Sequence, residues 1–120
     1  MGLTVTNKEK YTVITFDDEK LDSIVAPDLK AQFVLLSKEG VKNIIVDLEK
    51  AKYCDSSGLS ALLVGNRGAR DADGIFIISG LQPMVEKLIG ISQLDKVLTI
   101  TPTLSEAEDY MVMELLEKEI

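Results

Sequence analysis

The period of the apolar positions changes along the chain, and the changes predict its elements. Leu3 and Val5, then the β-branched and aromatic stretch from Tyr11 to Phe16, flank Asn7-Lys8-Glu9-Lys10 and predict an N-terminal β-hairpin. Pro27 suits a first helical turn, and Leu29, Phe33 and Leu36 recur at helical spacing until Gly40 offers a stop. Val41 to Leu48 holds the unbroken apolar run Ile44-Ile45-Val46, the pattern of a central strand covered on both faces. A polar connection from Lys50 to Ser57 follows. Leu59, Leu62, Leu63 and Ala69 then share one helical face, closed by Asp73-Gly74 before the run Ile75-Phe76-Ile77-Ile78.

The alternation continues to the end. Pro83 opens a short helix with Val85, Leu88 and Ile89 on its apolar face and Gly90 as its stop, before a strand over Val97-Leu98-Thr99-Ile100. Thr103 with Glu106 forms a capping-box pattern, and Leu104, Ala107, Met111 and Leu115 give the last helix a buried stripe. The acidic stretch from Glu114 to Glu119 has the charge of an interaction arm, but it carries Leu115, Leu116 and Ile120 at helical spacing and reads rather as a solvated helix end. Helices between successive strands bring those strands back in one direction. The expected fold class is therefore α/β: a mixed, mostly parallel sheet of about four to five strands with about four helices and the N-terminal hairpin.

With 120 residues and no linker or internal repeat, the expectation is a single domain over residues 1–120. The balance of 13 basic against 20 acidic residues gives a formal charge of -7, which repels phosphate backbones and argues against nucleic-acid binding. Apolar runs fall far short of the roughly 20 residues that span a bilayer. Met1-Gly2-Leu3-Thr4 lacks the pattern of a signal peptide, so the expectation is a cytoplasmic protein without direct membrane insertion. The lone Cys54 permits no internal disulfide. No histidine is present, which removes Ser-His-Asp and Cys-His nucleophiles, phosphohistidine relays and histidine metal ligation together. Neither a metal site nor a cofactor is expected.

Chemistry concentrates in Tyr53-Cys54-Asp55-Ser56-Ser57-Gly58-Leu59, between a central strand and a helix of about four turns. Asp or Ser at a helix start accepts hydrogen bonds from unpaired backbone amides, and the helix dipole favours negative charge there. On spacing alone, simple capping accounts for these residues.

The motif carries more than capping. Ile45-Val46-Asp47-Leu48, then Cys54-Asp55-Ser56-Ser57-Gly58-Leu59, then Ser60-Ala61-Leu62-Leu63, resembles the signature of STAS domains in anti-sigma factor antagonists. The likeness extends through the hairpin, the Gly80-Leu81-Gln82-Pro83 turn and the Ile100-Thr101-Pro102-Thr103 approach to the last helix. It implies the STAS fold and a non-enzymatic, partner-switching regulator of transcription. Such a protein binds an anti-sigma factor with serine kinase activity, is released when that kinase phosphorylates it, and is reset by a metal-dependent serine phosphatase. The resemblance assigns the phosphoacceptor to Ser56, with Ser57 as second choice, flanked by Asp55, Ser57, Gly58 and Leu59. It gives the partner contact to the first helix and the Ser56 helix, and nominates Asp22, Ser23 and the loop before Pro27 as its rim residues.

Other readings keep the same residues. STAS modules also serve as accessory subunits of membrane lipid transport systems, without a phosphorylation cycle. A phosphoaspartate receiver acting through Asp47 would need an acidic cluster near the start of the sheet and a lysine after a late strand, and Thr4 to Asn7 with Thr99 to Thr103 supplies neither. Hydrolysis at Ser56 or Ser57 lacks a base. Cys54 stands where an aliphatic residue is more usual in the family and reads as a small buried hydrophobe. Arg67 and Arg70, three apart, read as a solvated helix edge or as a partner contact. Gly65 and Gly68 read as points of close packing onto the sheet, or as a partner surface if exposed.

Overall fold

The computed structural model describes residues 2–119, so Ile120 of the predicted last stripe lies outside the described residues. β1 (Leu3–Asn7) and β2 (Thr12–Phe16) form the expected hairpin, antiparallel, with Leu3 opposite Phe16 and Asn7 opposite Thr12. A two-residue strand, β3 (Lys20–Leu21), precedes α1 (Ala26–Lys38), β4 (Asn43–Asp47) and a second two-residue strand, β5 (Tyr53–Cys54). α2 (Ser56–Asp71), β6 (Ile75–Ser79), α3 (Pro83–Ile91), β7 (Thr99–Thr101) and α4 (Leu104–Glu119) complete the chain.

The main sheet runs β1-β2-β4-β6-β7, with the last four strands parallel and β1 antiparallel at the edge. It matches the expected mixed, mostly parallel sheet of the STAS fold with four helices. Those four parallel strands lie side by side in chain order. Right-handed crossovers stepping in one direction place their helices on one face of the sheet. The packing follows suit: Leu29, Phe33 and Leu36 of α1, Leu62 of α2, and Val85 and Ile89 of α3 share one core with Ile14, Phe16, Val46 and Ile78. The opposite face is covered by α4, which sets Ala107 and Met111 on Val13, Ile45, Ile75 and Ile77. Coverage on both faces is why β4 and β6 read as unbroken apolar runs.

Three local expectations are corrected. The connection from Lys50 to Ser57 is not purely loop, because β5 pairs in parallel with β3, Leu21 opposite Cys54. Gly90 does not stop α3, which runs on to Ile91. The chain reverses instead at Gln93, held at φ 61°, into a 3-10 turn over Leu94–Lys96. That turn delays β7 to Thr99, so Val97 is exposed and Leu98 enters the core from a loop. The capping pattern is realised in one direction: Glu106 N–H donates to Thr103 Oγ1 at 3.1 Å, while the Thr103 hydroxyl contacts the Glu106 carboxylate at 3.3 Å. Among the described residues, no helix is long and apolar enough to cross a membrane.

Candidate functional site

The start of α2 is built by Asp55. Its backbone is extended (φ -115°, ψ -172°), which lets the side chain fold back over the first helical turn. Asp55 Oδ1 accepts from Ser57 N–H at 2.9 Å and Gly58 N–H at 3.1 Å, and the Asp55 carbonyl accepts from Leu59 N–H at 3.0 Å. Simple capping is therefore Asp55's task, and the serines are left free of it. Ser56 is the first helical residue and is exposed, Ser57 is half-buried, and Gly58 and Leu59 turn inward and are buried.

Gly58 is small because another strand passes over it. A Cβ at this position would lie 2.7 Å from Cys54 Sγ and 2.8 Å from Leu21 Cγ, and would press against the Leu21 carbonyl oxygen. That carbonyl also accepts from Asp55 N–H at 3.3 Å. The β3–β5 pair and Gly58 thus bring the segment after Leu21 against the start of α2. Cys54, at the centre of this contact, is buried. Its thiol is pushed up to about 12, first by burial and then by the neighbouring Asp55 charge, so it is a packed hydrophobe and not a reactive thiolate.

The segment after Leu21 is ordered by Asp22. Its Oδ1 accepts from Ile24 N–H at 3.0 Å and Val25 N–H at 3.3 Å, and its carbonyl accepts from Ala26 N–H at 2.8 Å. This turn supplies what Val25, the residue before α1, cannot, having no polar side chain. Asp22, Ser23 and Asp55 come together with Lys20 and Tyr53 around one open hollow of about 350 Å³, and Ser56 follows directly on Asp55. Two side chains that lie in the segments singled out from the sequence, but were given no role of their own, belong to this surface. Ile24 is 80% exposed beside Ser23, and Tyr53 is exposed on the hollow's wall.

Among the described residues, no group of three or more Cys, Asp or Glu side chains could hold a metal ion. Asp47, at the end of β4, accepts from Glu49 N–H at 3.2 Å and from the Ser79 hydroxyl at 3.5 Å. Burial raises its carboxyl above the usual carboxylate range. These bonds tie the exit of β4 to β6. Farther along α2, Gly65 is buried against α1 and the sheet: a Cβ there would stand 2.7 Å from both Phe33 and Phe76. Gly68 is exposed with open space around it, as are Arg67 and Arg70. The surface thus offers an exposed hydroxyl at a helix start, beside a hollow lined by Lys20, Asp22, Ser23, Tyr53 and Asp55. Asp55, the adjacent carboxylate, is already committed to the cap.

The model of the STAS domain family matches residues 3–107 of this chain. The anti-sigma-B factor antagonist of Staphylococcus aureus is 24% identical over 94 residues, covering 78% of this chain and 86% of that protein. An anti-sigma factor antagonist of Mycobacterium paratuberculosis superposes with a TM-score of 0.82 over 92% of each chain, at 21% identity. The Bacillus cell fate determinant SpoIIAA in its phosphorylated form gives 0.71 over 91% of this chain and 98% of its own, at 23% identity. Identities this low in solved structures speak for the fold.

Proposed function

The chain belongs to the STAS domain family, and from that premise we propose that it is an anti-sigma factor antagonist, a non-enzymatic binding switch set by phosphorylation of Ser56. Unphosphorylated, it binds an anti-sigma factor with serine kinase activity. Phosphorylated by that partner, it lets go, and a serine phosphatase resets it. The observation that carries this reading is the division of labour at the start of α2: Asp55 holds the free amides, so Ser56 is exposed and available. A serine needed as a cap would lose its structural task on modification; this one would not.

The physics of release follows from the same geometry. A phosphate on Ser56 brings about -1.5 to -2 charges next to Asp55, beside a hollow lined by Asp22 and Asp55 with Lys20 as its one cation. A partner packed over Ser23, Ile24 and Tyr53 must desolvate that charge. A penalty of about 3 to 4 kcal/mol lowers affinity by roughly two to three orders of magnitude. The helix dipole favours the phosphate by only about 0.3 to 1 kcal/mol at an exposed position, too little to reverse the balance or to remodel the fold.

The test is affinity capture from native cytosol with wild type, Ser56→Ala and Ser56→Asp as baits, the retained proteins being identified by mass. Capture of a serine kinase of the anti-sigma type by Ser56→Ala and its loss from Ser56→Asp is the expected result. Ser56→Asp should keep the wild-type melting midpoint to within a few degrees, since Asp55 and not Ser56 caps the helix. Transporter subunits held equally by all three baits would make the chain an accessory subunit of a lipid transport system and leave Ser56 without a switching role.

A further inference from the structure

On the sheet face opposite Ser56, α4 turns a patch of apolar side chains to solvent. Val112, Met113 and Leu116 are 46%, 60% and 52% exposed, and their spacing places them together on the outer side of the helix. Beside them lies a hollow of about 210 Å³, lined by Tyr11, Val112, Leu115 and Leu116 together with Glu9, Lys10 and Glu119, large enough to seat an apolar side chain. The inner stripe of α4 already covers the sheet, so core packing does not account for the outer patch. A contiguous exposed apolar patch rimmed by charge marks an interaction surface.

The charge around the patch selects the occupant. Glu106, Asp109 and Glu117 are exposed on the same side of α4. The nearby cations are already engaged: Lys10 pairs with Glu119 at 2.7 Å, and Lys118 pairs with Asp73 at 3.7 Å. What faces outward is apolar with an acidic rim. A second copy, itself at -7, would set like charge on like, and an anionic membrane would be repelled. A segment with aliphatic side chains on one face and lysine or arginine around them fits both features.

We propose that the outer face of α4 is a second docking surface, which takes a basic amphipathic helix of another protein and works independently of Ser56. Because α2 and α4 pack on opposite faces of the sheet, both surfaces can be occupied at once. The chain would then join a basic partner to whatever its Ser56 side holds.

The experiment follows amide shifts of the full ¹⁵N-labelled chain on titration with a synthetic leucine–lysine peptide, its leucines at three- and four-residue helical spacing. Saturable shifts confined to α4 and Glu9 to Tyr11, unaltered in Ser56→Asp, are expected. The charge-neutral pair Met113→Gln with Leu116→Gln should weaken binding at least about tenfold, the usual effect of removing an apolar anchor, and so should Asp109→Lys with Glu117→Lys. All four positions are exposed, and unchanged melting of the variants shows that loss of binding is not loss of fold. Equal binding of a shuffled peptide of the same composition, or shifts centred on α1 and α2, would overturn the proposal. So would concentration-dependent dimerisation abolished by the glutamine pair, since the face would then belong to a second copy.

Discussion

At the scale of single residues, Gly58 carries the closest constraint in the molecule's candidate site. A methyl group there meets backbone on one side and a buried sulfur on the other, so neither neighbour can swing aside as the end of a flexible side chain would. Gly58→Ala should cost about 1 to 3 kcal/mol as overpacking, which differential scanning calorimetry would register as a midpoint lowered by roughly 4 °C per kcal/mol. It should also loosen the Asp22 turn, seen as faster amide exchange at Ile24 and Val25. Cys54, on the other side of the contact, is held protonated far above neutral pH. Alkylation by iodoacetamide at pH 8 should therefore be slow in the folded chain and fast once denaturant is added; rapid labelling of native protein would show that the contact opens readily. The cap itself was legible from Asp55-Ser56-Ser57 because capping is local chemistry. The reason for Gly58 was not, because the atoms it must avoid belong to Leu21, which only the fold brings near.

The helices and strands divide along the same line. β4 and β6 were legible because burial on both faces leaves continuous runs, Ile44-Ile45-Val46 and Ile75-Phe76-Ile77-Ile78, that few other placements tolerate. β3 and β5 were not, since two residues hold no period, yet their pairing is what sets the Asp22 turn against α2. Val97 failed as a strand residue because its β-propensity was overridden by the 3-10 turn before it. Gly65 and Gly68 of α2 show how one spacing can hide opposite causes. Gly65 lets the Phe33 and Phe76 rings meet edge to face, centroids 5.6 Å apart, directly against the helix backbone. Gly68 has no neighbour that an added methyl would touch. Gly65→Ala should therefore destabilise by about 1 to 3 kcal/mol, whereas Gly68→Ala should stabilise by about 0.5 to 1 kcal/mol through helix propensity and a less free unfolded chain. Paired thermal melts decide this, and midpoints that move in the same direction would contradict the assignment of Gly65 to packing and Gly68 to open surface.

Across the whole molecule, one helix closes an entire sheet face, and the two ends of the described chain hold it there. Tyr11 donates its phenol hydrogen to Glu108 Oε2 at 2.6 Å, across 97 positions of sequence, and Lys10 reaches Glu119 across 109. Both bonds join the hairpin turn to α4, and both depend on protons. Burial, then the hydrogen bond and charge of Glu108, lift the Tyr11 phenol from its usual 10 to about 12. Below pH 10 the phenol is protonated whether the chain is folded or not, and its bond contributes fully. Between pH 10 and 12 the unfolded chain releases the proton first, so stability must fall as pH rises through this window. Lys10, raised by its hydrogen bond to Glu119, loses its contribution in the same direction, and Cys54 adds to the slope. Urea titrations at stepped alkaline pH should show the decline, and Tyr11→Phe should make it shallower while lowering stability at neutral pH by about 0.5 to 1.5 kcal/mol for the lost bond. A Tyr11→Phe chain that declines as steeply as wild type would mean the hairpin does not latch α4. The helix would then rest on Ala107, Met111 and their partly buried neighbours alone, and an outer face offered to a second partner would have to be rigid for some other reason.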